Sequence, residues 1–197
     1  METTNIDILD NYRRSQDAFD AVLSVVPTDL WGNASACKHW SLRDVAGHVT
    51  WSLEVLRHHL AGHDYITDVG PPGSTNPGAL AGDNPLATWR AARSTTAHAI
   101  VEETLLEPAP AWFVDRRPQS TLADFVELST LDTLVHAWDI GSAVGIDVRM
   151  EPDLAARSFS LARLIVIRSP TTFGPKLTPP PGADKQARLL SFLGRAI

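Results

Sequence analysis

Residues 122–144 read LADFVELSTLDTLVHAWDIGSAV, and this stretch decides the fold class. Apolar residues recur in it at the spacing of an α-helix that buries one side, and Gly145 follows as a stop signal. At about 100° per residue, a sector about 100° wide carries Phe125, Leu128, Asp132, Val135, His136 and Asp139. The sequence therefore predicts a long helix whose buried face holds three ionisable side chains.

Asp132 and His136 are four residues apart, which places both side chains on one helix face with Cβ atoms about 5–6 Å apart. An unpaired buried charge is costly, so both groups need partners. A divalent cation is one solution, because imidazole and carboxylate are good ligands for it. A direct hydrogen bond between the two side chains is the other, and the pair alone leaves both open.

Three other long amphipathic segments carry apolar residues at helical spacing. The first covers residues 4–26, the second covers 42–60 behind Ser41 as capping residue, and the third covers 85–101 behind Asn84. With the stretch at 122–144 they make four long helices. Four such helices indicate a four-helix bundle.

Shorter helices are expected towards the C-terminus, at residues 152–165 and 185–193. Residues 64–83 form a long loop rich in Gly, Pro, Ser and Asn, which is either a functional lid or a mobile connection. Residues 169–184 form a proline-rich surface loop. We find no convincing strand, internal repeat or linker. The expectation is one all-α domain over residues 1–197, a four-helix bundle with additional short C-terminal helices.

The composition excludes several classes of function. The formal net charge is -6 and basic residues form no stripe, so neither nucleic acid nor a membrane surface is an expected partner. No apolar run approaches the roughly 20 residues of a membrane span. The first residues lack the layout of a signal peptide, and Cys37 is the only cysteine. A cytoplasmic location is therefore expected.

The second helix offers a third ligand for a metal ion. His48 lies on the flank of its apolar stripe, in line with Ser52, Val55 and His59, and this flank faces a neighbouring helix in a bundle. By itself, His48 is more typical of an ordinary boundary histidine. Together with an Asp–His pair on another helix, it makes a three-ligand site with one open position.

Four stretches of the sequence match a known group of proteins. They are ACKHWSLRDVAGHV at 36–49, DTLVHAWDI at 132–140, FGP at 173–175 and ARLLSFLGR at 187–195. With these stretches the chain resembles the DinB-like superfamily of four-helix metalloproteins. Within it, the chain is similar to the actinobacterial branch that contains the N-terminal domain of mycothiol-dependent maleylpyruvate isomerase.

The resemblance implies that His48, Asp132 and His136 bind one divalent metal ion, most simply zinc. The family usually has Glu at the position of Asp132, so the shorter side chain must hold the metal closer to the helix or more weakly. Similar proteins use the metal to activate a low-molecular-weight thiol such as mycothiol, and they often form dimers, so a homodimer is an option here. The implied activity is a metal-dependent thiol S-transferase or isomerase that acts on a small electrophile.

Asp139 has two interpretations: it orients a metal ligand or the thiol, or it forms an interhelical salt bridge. The chain has no room for the additional C-terminal domain of the isomerase itself, so we do not expect maleylpyruvate isomerisation.

Two other functions stay open from the residues alone. Metal-bound water would make the protein a hydrolase, with Asp139, His59 or His98 as general base. A metal that only staples the bundle, or that is lost, would leave a non-catalytic binding protein.

Other reactive side chains have plainer interpretations. Cys37 is expected to be a buried structural residue, since it lacks a partner cysteine. Four other histidines lie near His48 in the sequence, and most of them are expected at the surface: His39, His58, His59 and His63.

Overall fold

The structure is a computed structural model that describes residues 4–169 and 172–197. Residues 1–3, part of the segment searched for a signal peptide, and residues 170–171, part of the predicted proline-rich loop, lie outside the described residues.

The described residues form seven α-helices and two short 3₁₀ turns, at Pro77–Ala81 and Thr104–Leu106. The helices are α1 Asn5–Leu23, α2 Leu42–Leu60, α3 Pro85–Thr96, α4 Ala111–Val114, α5 Leu122–Ala143, α6 Pro152–Ile165 and α7 Lys185–Phe192. Over residues 4–169 and 172–197 the only β-type pairing is at isolated bridges. The prediction of an all-α, DinB-like bundle is confirmed.

Capping interactions explain where the long helices start. At α2, the hydroxyl of Ser41 accepts the Asp44 amide at 3.1 Å, and the Asp44 carboxylate accepts the Ser41 amide at 2.9 Å. Thr4 and Asp7 form the same pair of hydrogen bonds at the start of α1. These contacts satisfy amide groups that a helix N-terminus leaves without partners.

The third helix is shorter than predicted. It ends at Thr96 instead of continuing to residue 101, and the Thr96 hydroxyl bonds back to the Ala92 carbonyl at 3.3 Å. Ile100 is nevertheless buried, because a turn carries it back to the core. Its burial, and not helical periodicity, explains the apolar residue at that position.

Helix α5 is the centre of the molecule. It packs against α1, α2 and α6. Buried residues of α5 belong both to the core shared with α1, α2 and α3 and to the second apolar cluster shared with α6 and α7. A helix that is buried nearly all round places its few ionisable groups inside the protein.

The backbone of helix α2 lies directly against the backbone of the long loop at Gly47. A Cβ atom on Gly47 would lie 2.0 Å from the Pro77 carbonyl oxygen, so only glycine fits there. This contact holds the loop against α2 beside His48, which itself bonds to the loop at Gly70. Each helix in the described part of the chain is too short or too polar to cross a lipid bilayer.

Candidate metal centre

Helices α2 and α5 bring His48, Asp132 and His136 together. His48 Nε2 lies 3.1 Å from Asp132 Oδ2, and His136 Nε2 lies 3.3 Å from Asp132 Oδ1. The two imidazole rings stand nearly perpendicular, with centroids 5.2 Å apart. One potential ligand atom from each residue lies within 4.8 Å of the others. This spacing suits three ligands around one small cation.

The three side chains differ in their exposure. His48 and His136 are 3% and 4% exposed, whereas the Asp132 side chain is 27% exposed. The two rings are therefore enclosed by protein, and solvent reaches the cluster on the Asp132 side.

The other nitrogen of each ring is held by a hydrogen-bond acceptor. His48 Nδ1 bonds to the Gly70 carbonyl, and His136 Nδ1 lies 2.9 Å from Asp139 Oδ2. A carbonyl and a carboxylate accept hydrogen bonds, so each Nδ1 must donate. The neutral form of each ring then presents the Nε2 lone pair to Asp132. Histidines that bind a metal ion typically donate their other ring N–H group to a carboxylate or a backbone carbonyl in this way.

Three electron-pair donors facing one another are unstable unless protons or a cation lie between them. Burial alone would raise the pKa of Asp132, yet the nearby His136 and His48 hold it well below its usual value. Burial alone would lower the pKa of His136, and the Asp132 charge raises it to about 9. The cluster therefore favours positive charge at its centre, supplied by a proton or by a metal ion.

Asp139 is fully buried and contacts both a histidine of the cluster and an arginine from the C-terminal segment. Besides His136, it binds Arg195, whose Nη2 lies 2.8 Å from Asp139 Oδ2 and whose Nε lies 3.1 Å from Oδ1. Burial opposes ionisation of Asp139, but Arg195 and His136 lower its pKa below the usual value. Sequence reasoning missed Arg195, because nothing local in the C-terminal segment marks a partner for α5.

Tryptophan rings enclose the two histidines. The Trp40 ring centroid lies 4.9 Å from that of His48 and 5.9 Å from that of His136. Trp51 stacks on His48 with a centroid distance of 5.8 Å and an interplanar angle of 12°. These rings form apolar walls beside the three potential ligands, a role that the sequence did not reveal.

The loop at residues 64–83 is part of the site. Gly70 supplies the acceptor for His48, and the Ser74 carbonyl accepts the Trp40 indole N–H at 3.1 Å. Gly70 has φ +102°, and a Cβ atom there would lie 2.4 Å from the Trp51 ring. Glycine alone satisfies both the backbone conformation and the close approach.

The other reactive residues lie outside this three-residue cluster. Cys37 is only partly buried, and burial raises the pKa of its thiol to about 12. His59 Nε2 lies 2.9 Å from the Pro108 carbonyl, and the side chains of His39 and His98 are exposed. The groups of potential metal ligands found in the described residues contain none of these three histidines.

A family model for the mycothiol maleylpyruvate isomerase N-terminal domain matches residues 12–141. The matched segment contains His48, Asp132 and His136, whereas Arg195 lies beyond it.

Similar proteins occur in Mycobacterium tuberculosis. Uncharacterized protein Rv0738 of strain H37Rv is 28% identical over 98% of this chain and 100% of its own length. Uncharacterized protein Rv0036c of the same strain is 23% identical over 68% of this chain and 55% of its own length. No solved structure matches.

Proposed function

This chain belongs to the mycothiol maleylpyruvate isomerase N-terminal domain family, and from that membership we propose that it is a metal-dependent thiol transferase or isomerase. In this proposal His48, Asp132 and His136 bind one divalent cation, most simply zinc. A low-molecular-weight thiol such as mycothiol is the cosubstrate.

One observation carries the proposal of a metal: in the described part of the chain, two imidazole nitrogens and a carboxylate converge on one point, where a proton on His136 or a cation must supply the positive charge. Gly70 and Asp139 occupy both Nδ1 atoms, so both Nε2 atoms face the Asp132 carboxylate at 3.1 and 3.3 Å. Two imidazoles and one carboxylate are a common ligand set for zinc. The residues present therefore fit a divalent cation.

The number of ligands favours reactivity over a purely structural role. Structural zinc sites use four protein ligands, whereas catalytic sites use three and leave a position open. Here the open side is next to Asp132, the least buried member of the cluster. A cation bound there would favour the thiolate form of an approaching thiol.

The chain itself would shape the rest of the reaction site. The buried rings of His48 and His136 keep water from the rear of the cluster, while Trp40 offers an apolar wall. Asp139 holds the ring of His136 in place. We infer that the second substrate is a small electrophile that enters from the Asp132 side.

A hydrolase has less support from the positions of the bases. Asp139 already accepts hydrogen bonds from Arg195 and His136, and it has no solvent exposure. His59 is bonded to the Pro108 carbonyl. His98 is an exposed residue just after α3, outside the cluster.

Metal analysis of untagged protein tests the first half of the proposal. After zinc loading and dialysis, we expect about one zinc per chain. His48→Gln and His136→Gln should lose most of it, whereas His98→Gln, which removes an exposed histidine, should retain it. Equal zinc content in all four proteins, or none in the wild type, contradicts the assignment.

A turnover assay tests the second half. A chromogenic electrophile is supplied to zinc-loaded protein with and without mycothiol. We expect product formation only with the thiol, and loss of it in His136→Gln. Turnover that needs no thiol would support the hydrolase instead.

A further inference from the structure

Arg195 lies two residues from the end of the chain, yet it reaches the polar cluster on α5. It is 7% exposed and binds both oxygens of Asp139. Its Nη2 contacts Oδ2, the same oxygen that accepts the His136 Nδ1–H group. A hydrogen-bonded path therefore runs from the C-terminal segment to a potential metal ligand.

The local sequence turns Arg195 inward. After α7 the Gly194 amide bonds to the Ser191 carbonyl at 3.1 Å, and the Arg195 amide bonds to the Leu190 carbonyl at 2.9 Å. This pair of bonds is a Schellman motif, which needs a left-handed residue after the helix. Gly194 supplies it with φ +85°, and a Cβ atom there would lie 2.9 Å from the Pro175 carbonyl oxygen.

We propose that Arg195 is a positioning residue for the metal centre, acting through Asp139 on His136. The inference rests on the proposed metal site. Arg195 holds the Asp139 carboxylate by two hydrogen bonds, so that Oδ2 stays in place to accept the His136 Nδ1–H. That contact selects the ring orientation in which His136 Nε2 faces Asp132 and the cation.

The shared oxygen distinguishes this role from a simple ion pair. A buried salt bridge that only joined α5 to the C-terminal segment would not need to contact a ring that faces Asp132. Losing the guanidinium would leave a buried carboxylate without its cationic partner, a costly state that favours reorientation of Asp139. Partners of metal-ligating histidines typically change metal affinity by about 10–100-fold when they are removed.

Two variants separate positioning from folding. Arg195→Lys keeps the buried charge but lacks the planar pair of donors. The double variant Asp139→Leu/Arg195→Met removes both charges and replaces them with apolar groups of similar size, which buried ion pairs often tolerate. Arg14→Met is the matched control, because Arg14 forms ion pairs with Asp153 and Glu151 on other elements.

Zinc affinity is measured by competition with a chelator, and NMR follows solvent exchange of the His136 Nδ1–H proton in zinc-loaded protein. We expect zinc binding about tenfold weaker in Arg195→Lys and about 10–100-fold weaker in the double variant, with faster exchange of that proton in both. Arg14→Met should match the wild type in both measurements.

Two results overturn the inference, and they are distinguishable. If the wild type binds zinc and the folded double variant binds it equally tightly, Arg195 is only structural and the proposed function stands. If the wild type binds no zinc, the proposed metal site fails and the positioning role fails with it.

Discussion

Lowering the pH from 9 to 7 should weaken zinc binding by about 50-fold, because His136 is half protonated at pH 9 and almost fully protonated at pH 7. Burial opposes protonation of His136, but the Asp132 carboxylate, 3.3 Å from Nε2, raises the pKa of His136 to about 9. Only the unprotonated Nε2 can bind a metal ion, so the proton must leave first. Because the pKa is raised to about 9, most of His136 is protonated below that pH, and well below it each further pH unit lowers the affinity about tenfold.

Isothermal titration calorimetry measures this effect directly. Zinc is titrated in the presence of a competing chelator at pH 7 and at pH 9, in two buffers with different ionisation enthalpies. The difference between buffers counts the protons released. We expect at least about one proton per zinc at pH 7 from His136. An exposed-histidine variant, His98→Gln, should give the wild-type values.

Equal zinc affinity at the two pH values, or zinc binding at pH 7 without proton release, would contradict this prediction. Either result would mean that His136 is neutral in the absence of zinc, or that its Nε2 does not bind the metal. Asp132→Asn adds a check on the cause. Removing the carboxylate charge should weaken zinc binding at pH 9 and also flatten its dependence on pH.

Three further predictions concern stability and reactivity. In the metal-free protein, protonation of His136 contributes about 3 kcal/mol to the free energy of unfolding below about pH 6.5, and this contribution should be lost as the pH rises through 9. Urea unfolding in the presence of a chelator should show the loss, and a His136→Gln variant should not show it. Gly70→Ala should lower the melting temperature and weaken zinc binding, because its Cβ would clash with Trp51. Gly182→Ala is the control: it also has positive φ but lies in open space, so it should show only the backbone penalty of about 1–3 kcal/mol. Cys37 should resist a thiol-labelling reagent at pH 8 in the folded protein and react after denaturation, since burial raises its pKa to about 12; rapid labelling of the folded protein would be the contrary result.

The helices were largely predictable from the sequence because their signals are local. Ser41 and Asp44 cap α2 through residues three apart, and apolar spacing outlines α5. The prediction was wrong between Thr96 and residue 101, where the chain leaves the helix. There an apolar residue is buried by a turn and not by a helix, and the sequence pattern of apolar residues is the same in both cases.

The candidate site was predictable in part. Asp132 and His136 were paired by their spacing alone, while His48 was included through its helix flank and the resemblance. The structure brings these three residues together, and their role as metal ligands stays a prediction. Arg195, Gly70 and the walls of tryptophan were not foreseen, because each acts across a long separation in the chain.

The residue order alone predicts the features that depend on one helical turn: which segments are helices, and that Asp132 and His136 share a face. The packing of distant segments brings a loop carbonyl at Gly70 and a C-terminal guanidinium at Arg195 against the cluster, and neither contact follows from local sequence. The difference lies in how far apart in the chain the interacting residues are. Helical geometry relates residues three or four apart wherever the helix lies, whereas contacts between distant segments depend on how the helices pack.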